Sequence, residues 1–187
     1  MSIPDFRSRR TRGISLIELV MFIVIVGLAV AGVLLVMNVT TQNSADPMIR
    51  KQAIASAESL LEEVELQPFT YCFPTDANAS TAGSSAGCAS AANSEDTLPA
   101  SARVTSPRSA NNVSDYTNFS MSPIVDITGS AIAGLSNYTA TVKIAQAGAS
   151  FALPAAEVLQ IDVRVVSGNT DVTVTGYRFR YAPNAVP

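Results

Sequence analysis

The chain has 187 residues, a formal charge of −3, no histidine, two cysteines and close to half of its residues hydrophobic. Without histidine, and with only Cys72 and Cys88 for sulfur chemistry, most transition-metal sites and nucleophile–base pairs are excluded. The charge is divided unevenly: Arg7, Arg9, Arg10 and Arg12 stand against Asp5 before Gly13, so the remainder carries −6 with only two lysines, which argues against a nucleic-acid partner.

Residues 1–13 show no periodicity and read as a polar, basic leader. An unbroken apolar run, Leu19 to Met37, follows the junction Gly13-Ile14-Ser15-Leu16-Ile17-Glu18. At 1.5 Å per residue this run makes a helix of about 28 Å, close to the hydrocarbon thickness of a bilayer. The arginines before it, with Arg50 and Lys51 well after it, predict a single span with a cytoplasmic N-terminus and the C-terminal bulk outside. Outside a bacterial inner membrane is the periplasm, where disulfides persist. A cleaved secretory signal is one reading of leader plus apolar run, and an uncleaved anchor is another. Against the first, the run exceeds the usual signal core and no small-x-small site directly follows Met37.

The junction resembles the class III signal of type IV prepilins and pseudopilins. That family has a basic leader ending in Gly, a cut after it, a hydrophobic first mature residue and Glu as the fifth. Here these are Gly13, Ile14 and Glu18, with Ile14 standing where the family most often carries Phe or Met. The resemblance implies cleavage between Gly13 and Ile14 by a prepilin peptidase, N-methylation of Ile14, and a subunit-assembly role for Glu18. Physically, a charge at the bilayer centre costs about 2.5–3.5 kcal/mol on insertion scales, softened near a helix N-terminus by the macrodipole. An amine freed on Ile14, or a neighbour's, is the natural partner for that carboxylate. Glu18 snorkelling to the headgroups is the alternative. Gly27 and Gly32 lie in the run without forming a GxxxG pair.

Residues 38–67 predict an amphipathic continuation after a kink or short break around Asn38 to Pro47, with Pro47 in the first turn of a second helix. In 48–66, Ile54, Ala57, Leu61 and Val64, flanked by Ala53 and Leu60, form an apolar stripe. Glu58, Glu62, Glu63 and Glu65 read as a solvated face.

From 68 to 187 the sequence predicts one exported domain, roughly 140 residues being about one domain's worth beyond the span. Its first part, 71–112, is Ser/Ala/Gly/Asn-rich and poor in large apolar residues, so it contributes little core. Cys72 and Cys88 are predicted to form a disulfide worth about 3 kcal/mol for a loop of this length; redox chemistry would want closer spacing. Arg103 and Arg108, flanking Pro107, read as an irregular linker or an exposed recognition surface.

After Tyr116 the pattern becomes β. Tyr138, Ala140, Val142 and Ile144 alternate with polar residues, as do Leu159, Ile161, Val163 and Val165. Ser167-Gly168-Asn169 predicts a turn into a strand from about 171 to 181. There Val172 and Val174 have one parity and Tyr177, Phe179 and Tyr181 the other, which predicts a bulge at Thr175-Gly176. Long helix plus antiparallel meander is an α+β layout.

The stretch SADPMIRKQAIASAESLLEEVELQPF and the ending GYRFRYAPN are similar to minor pilins of mannose-sensitive haemagglutinin type pili. This implies a type IV pilin-like fold, long helix on antiparallel sheet, and a minor subunit with roles in assembly initiation, adhesion or the filament surface. Implied partners are other pilin subunits, the prepilin peptidase, an inner-membrane assembly platform, and membrane lipid before assembly, with no cofactor. A type II secretion pseudopilin is the alternative, and a membrane-anchored periplasmic enzyme or binding module a further one. Asp162 and Asp171 flank the hairpin turn but lack the dense oxygen cluster that calcium needs, so no metal is assigned. No nucleophile–base pair or phosphate loop points to catalysis.

Overall fold

The structure is a computed structural model describing Gly13, residues 15–105 and residues 107–184, with the backbone alone described over 39–46. Ile14, the expected site of cleavage and methylation, lies outside the described residues. The chain forms two compact units, divided between Ala45 and Asp46.

In the first unit the apolar residues belong to helix α1 (Leu16–Glu65). Leu16–Asn38 is long and apolar enough to cross a membrane, and none of its most apolar window is buried within the protein. A helix apolar all round satisfies its own backbone groups and leaves its side chains for lipid or protein to cover.

Where a kink or a short break was expected, the helical backbone runs without a break, and Pro47 lies inside α1 and not in the first turn of a second helix. Proline removes one donor and crowds the carbonyl four residues back. That loss is local, and α1 continues across it to Glu65.

In the second unit α1 buries Ala53, Ala57, Leu60 and Val64. Their spacings of four, three and four residues make one stripe. Ile54 and Leu61 flank this stripe and are only partly buried. The buried positions are mostly small, so the helix can sit close to its partners.

Those partners come from an antiparallel sheet in the order β1-β2-β3-β4, with β1 (Ser120–Met121), β2 (Thr139–Gln146), β3 (Val158–Ser167) and β4 (Thr170–Phe179). The protein is thus α+β, and the meander follows chain order because hairpins join neighbours. Ala140, Val142 and Ile144 of β2 and Leu159, Ile161, Val163 and Val165 of β3 face the core, as their alternation predicts. Fully burying a Val, Leu or Ile side chain contributes about 1.5–3 kcal/mol.

β3 and β4 meet in a two-residue turn, Ser167 pairing with Thr170, and Gly168 takes a φ of +55° that costs other residues strain. The register then runs without interruption to Val158↔Phe179, so the expected bulge is absent. Val172, Val174 and Gly176 face inward, where a Cβ on Gly176 would run into the Glu65 carboxylate of α1. Tyr177 and Phe179 instead belong to the outer face and rest edge-on against Phe151, ring centroids 5.3 and 5.1 Å away. A second, small apolar cluster on the outer face removes the need for a bulge; Val158, paired with Phe179, is wholly buried there.

Candidate functional site

The N-terminal candidates occupy the start of α1. Gly13 and Ser15 precede the helix and are exposed, Ser15 accepts the first helical bond from the Leu19 amide at 3.1 Å, and Glu18 lies exposed in the first turn. An acid there meets the positive end of the helix dipole. Glu18 thus stands at the mouth of an uncovered apolar helix.

In the second unit Cys72 and Cys88 are disulfide-bonded, their Cα atoms 5.5 Å apart. Beside them Ala79 and Ala82 form a small buried cluster. The larger organiser of this loop is Asp76. Its carboxylate accepts from the backbone amides of Ala89 (2.9 Å), Asn78 (2.8 Å) and Ser90 (3.3 Å) and from the Asn93 side chain (2.8 Å). These donors, the Ala89 amide foremost, hold its pKa down to about 2. The low apolar content read from the sequence is real, and polar contacts do the folding in its place.

The helix face read as solvated carries a buried connection. Arg108 binds both carboxylate oxygens of Glu63, Nε at 2.7 Å and Nη2 at 2.9 Å, and gives Nη1 to the Val125 carbonyl at 2.9 Å. Tyr116 adds its hydroxyl to Glu63 at 2.6 Å. Burial, then the Glu63 carboxylate, pushes the Tyr116 phenol pKa up, so it stays a donor. The Arg108 side chain is only 7% exposed, which removes it from any exposed recognition surface. A bidentate, three-residue arrangement of this kind needs complementary geometry from three distant segments.

Arg103 is likewise committed, bridging Glu95 at 3.1 Å and Asp115 at 3.2 Å. Glu95 also accepts from the Ser114 hydroxyl, and its pKa is raised, chiefly because burial disfavours its charge. Asp115 caps the turn Val113–Tyr116 by accepting from the Asn112 amide. Arg180, nearly wholly buried, stacks over Phe69 and reaches Asp96 at 2.7 Å. Arg108 therefore ties the polar middle of the chain to α1, Arg180 ties it to the end of β4, and Arg103 braces it from within.

Beside the Glu63–Arg108 pair runs an open groove of about 440 Å³ between α1 and residues 121–135, lined by Ser56, Ser59, Ile124, Ile127, Ile132 and Leu135 among others. Of the carboxylates in its lining, Glu63 is taken up by Arg108 and Tyr116, and Asp126 by Thr128 and Ser130. Among the described residues no three His, Cys, Asp or Glu side chains cluster as metal ligands. Asp162 accepts from Gln160 and Thr175, and Asp171 is paired with Arg164, which lowers the Asp171 pKa. Comparison with known proteins returns no matching family model, curated protein or solved structure.

Proposed function

We propose that this chain is a prepilin-type structural subunit, a minor pilin without catalytic activity, which waits in the inner membrane and is then drawn into a filament by α1. The observation that carries the reading is the start of α1: an uncovered apolar helix with Glu18 in its first turn, directly behind the Gly13 junction. In lipid such a helix needs no partner for its apolar side chains, whereas its carboxylate does. Cleavage after Gly13 would create an α-amine on Ile14, and in a packed bundle a neighbour's amine would neutralise Glu18 and set axial register. The same contact is unavailable to an uncleaved anchor.

Other features agree with this reading. An α+β domain built on the second half of the same helix supplies a body to display, and its loop disulfide suits an oxidising compartment. The leader arginines orient the N-terminus to the cytoplasm and the domain to the periplasm. The prepilin peptidase, other pilin subunits and an inner-membrane assembly platform are the corresponding partners.

Mass spectrometry of the mature protein tests the proposal. An N-methylated Ile14 N-terminus is expected, and an intact Met1 in cells with active prepilin peptidase would overturn it. Glu18→Ala should be processed yet enter sheared filaments poorly; normal incorporation would count against the role of Glu18. Recovery in a secretion complex in place of filaments would assign the subunit to that machine.

A further inference from the structure

β4 is the last strand of the sheet, and one of its edges is open. The Arg180 amide donates to the Glu157 carbonyl at 3.0 Å, in register with the β3–β4 ladder. By the alternation of an antiparallel pair, the even-numbered residues of β4 turn their backbone groups to β3, and Asp171, Thr173, Thr175 and Tyr177 turn theirs outward. Among the described residues none bonds to these outward amides and carbonyls. The opposite edge of the sheet is held by the two-residue β1 and the chain around it.

Edge strands of soluble domains are commonly guarded by proline, lysine, a bulge or brevity. β4 is ten residues long, contains neither Pro nor Lys, and pairs without a bulge. Its one outward-facing acid, Asp171, is neutralised by Arg164. On the outer face beside this edge, Tyr177 and Phe179 are 45% and 41% exposed. On the inner face Glu65 overhangs Gly176, and Glu58 and Glu62 fall on the same flank of α1 by helical spacing.

We infer that the open edge of β4 is a docking site for an extended strand of a different polypeptide, one bearing Lys or Arg on its helix-side face and β-branched or aromatic residues on the other. The backbone ladder selects an extended chain. The glutamates select basic residues on one face, and the rings select bulk on the other. A second copy of this chain fits poorly. α1 crosses the inner face of the sheet, from Gln52 bonded to Tyr138 to Leu61 beside Gly176. A two-fold β4–β4 pairing about an axis through the sheet reverses any direction lying in its plane. On that shared face the Glu58, Glu62 and Glu65 flank of each helix would then approach its own copy, like charge toward like, where a basic strand meets opposite charge. The search for the partner among filament components rests on the proposed function above; the open edge does not.

The test uses the full chain in cells that assemble filaments, with the photo-cross-linker benzoylphenylalanine at Thr173 and, as control, at Thr141 on the interior strand β2. The expected result is an adduct from Thr173 alone, mapped by mass spectrometry to an extended Lys- or Arg-bearing segment of another polypeptide. Glu62→Lys, or the milder Glu62→Gln, should lower its yield, about fivefold for the charge reversal. Hydrogen exchange at the Thr173, Thr175 and Tyr177 amides should be at least about tenfold slower in the assembled form than in detergent-purified protein. Adducts only to this chain, equal adducts from Thr141, or unchanged exchange would each overturn the inference. Failure to find methylated Ile14 with a mapped Thr173 adduct would overturn the pilin assignment and leave the strand-docking edge standing.

Discussion

Arg108 clasps Glu63 from 45 positions downstream, and its bidentate bond is what fastens the polar middle of the chain to α1. The pair is largely out of water, with side-chain exposures of 7% and 19%. Its value lies less in attraction than in the penalty for separating the partners, since an orphaned buried charge is expensive.

Arg108→Ala should therefore cost about 3–5 kcal/mol, while Glu63→Gln, which keeps acceptor shape but loses the charge, should cost less. Urea unfolding of the full chain in detergent measures both. A loss below about 1 kcal/mol for Arg108→Ala would place the pair with ordinary surface ion pairs.

Asp76 gives the disulfide loop an acid limit. Its folded pKa of about 2 is below the ordinary 3.8, so its stabilising contribution is complete above the ordinary value and disappears as pH falls through about 2. Amide protection in 76–93 should hold steady down to about pH 4 and decline toward pH 2, read by hydrogen exchange with the disulfide intact. Asp76→Asn should abolish that decline by lowering protection at every pH.

Glu95 has the opposite sign. Its folded pKa is raised by burial, so the associated stability is complete below the ordinary 4.5 and is lost as pH rises through the folded value. Glu95→Gln cannot ionise and should flatten the fall in urea midpoint on the alkaline side of about pH 4.5. Parallel pH curves for the two proteins would show that Arg103 compensates Glu95 fully.

Two glycines should respond differently to alanine. A Cβ on Gly148 would overlap the backbone carbonyl of Pro154, which cannot swing aside, whereas the first obstacle at Gly176 is the flexible tip of Glu65. Gly148→Ala should cost about 1–3 kcal/mol and Gly176→Ala less than half as much, measured by thermal unfolding. Equal losses would mean that Leu61, also close to Gly176, is as immovable as the Pro154 backbone.

The strands were legible because alternation over seven residues has one interpretation when one face is buried, and Tyr138 to Ile144 and Leu159 to Val165 keep that alternation throughout. The helix was legible too, although its inward line runs through Ala53 and Leu60 in place of Ile54 and Leu61. Alanine carries little weight in a hydrophobic pattern, so its burial is hard to foresee. Glu63 could not be told from Glu58, Glu62 and Glu65, because the difference lies in Arg108 and Tyr116, which only the tertiary fold brings near. The β4 bulge was inferred from two parities of large residues. Phe151, from a separate turn, covers the second parity and makes the bulge unnecessary. At the N-terminus the junction of Gly13, Ile14 and Glu18 rests on spacing alone and belongs to the proposed function; what the fold adds is Glu18, exposed in the first turn of α1.

The loop between Cys72 and Asn93 is shaped from within by one carboxylate and one covalent tie, and Ser80, Thr81, Gly83 and Ser84 face solvent without supporting the core. Surface chemistry there is uncoupled from folding: side chains can be exchanged, or a short tag inserted, at little thermodynamic expense. The loop is thus a replaceable surface, open to rewriting while the scaffold beneath keeps its shape.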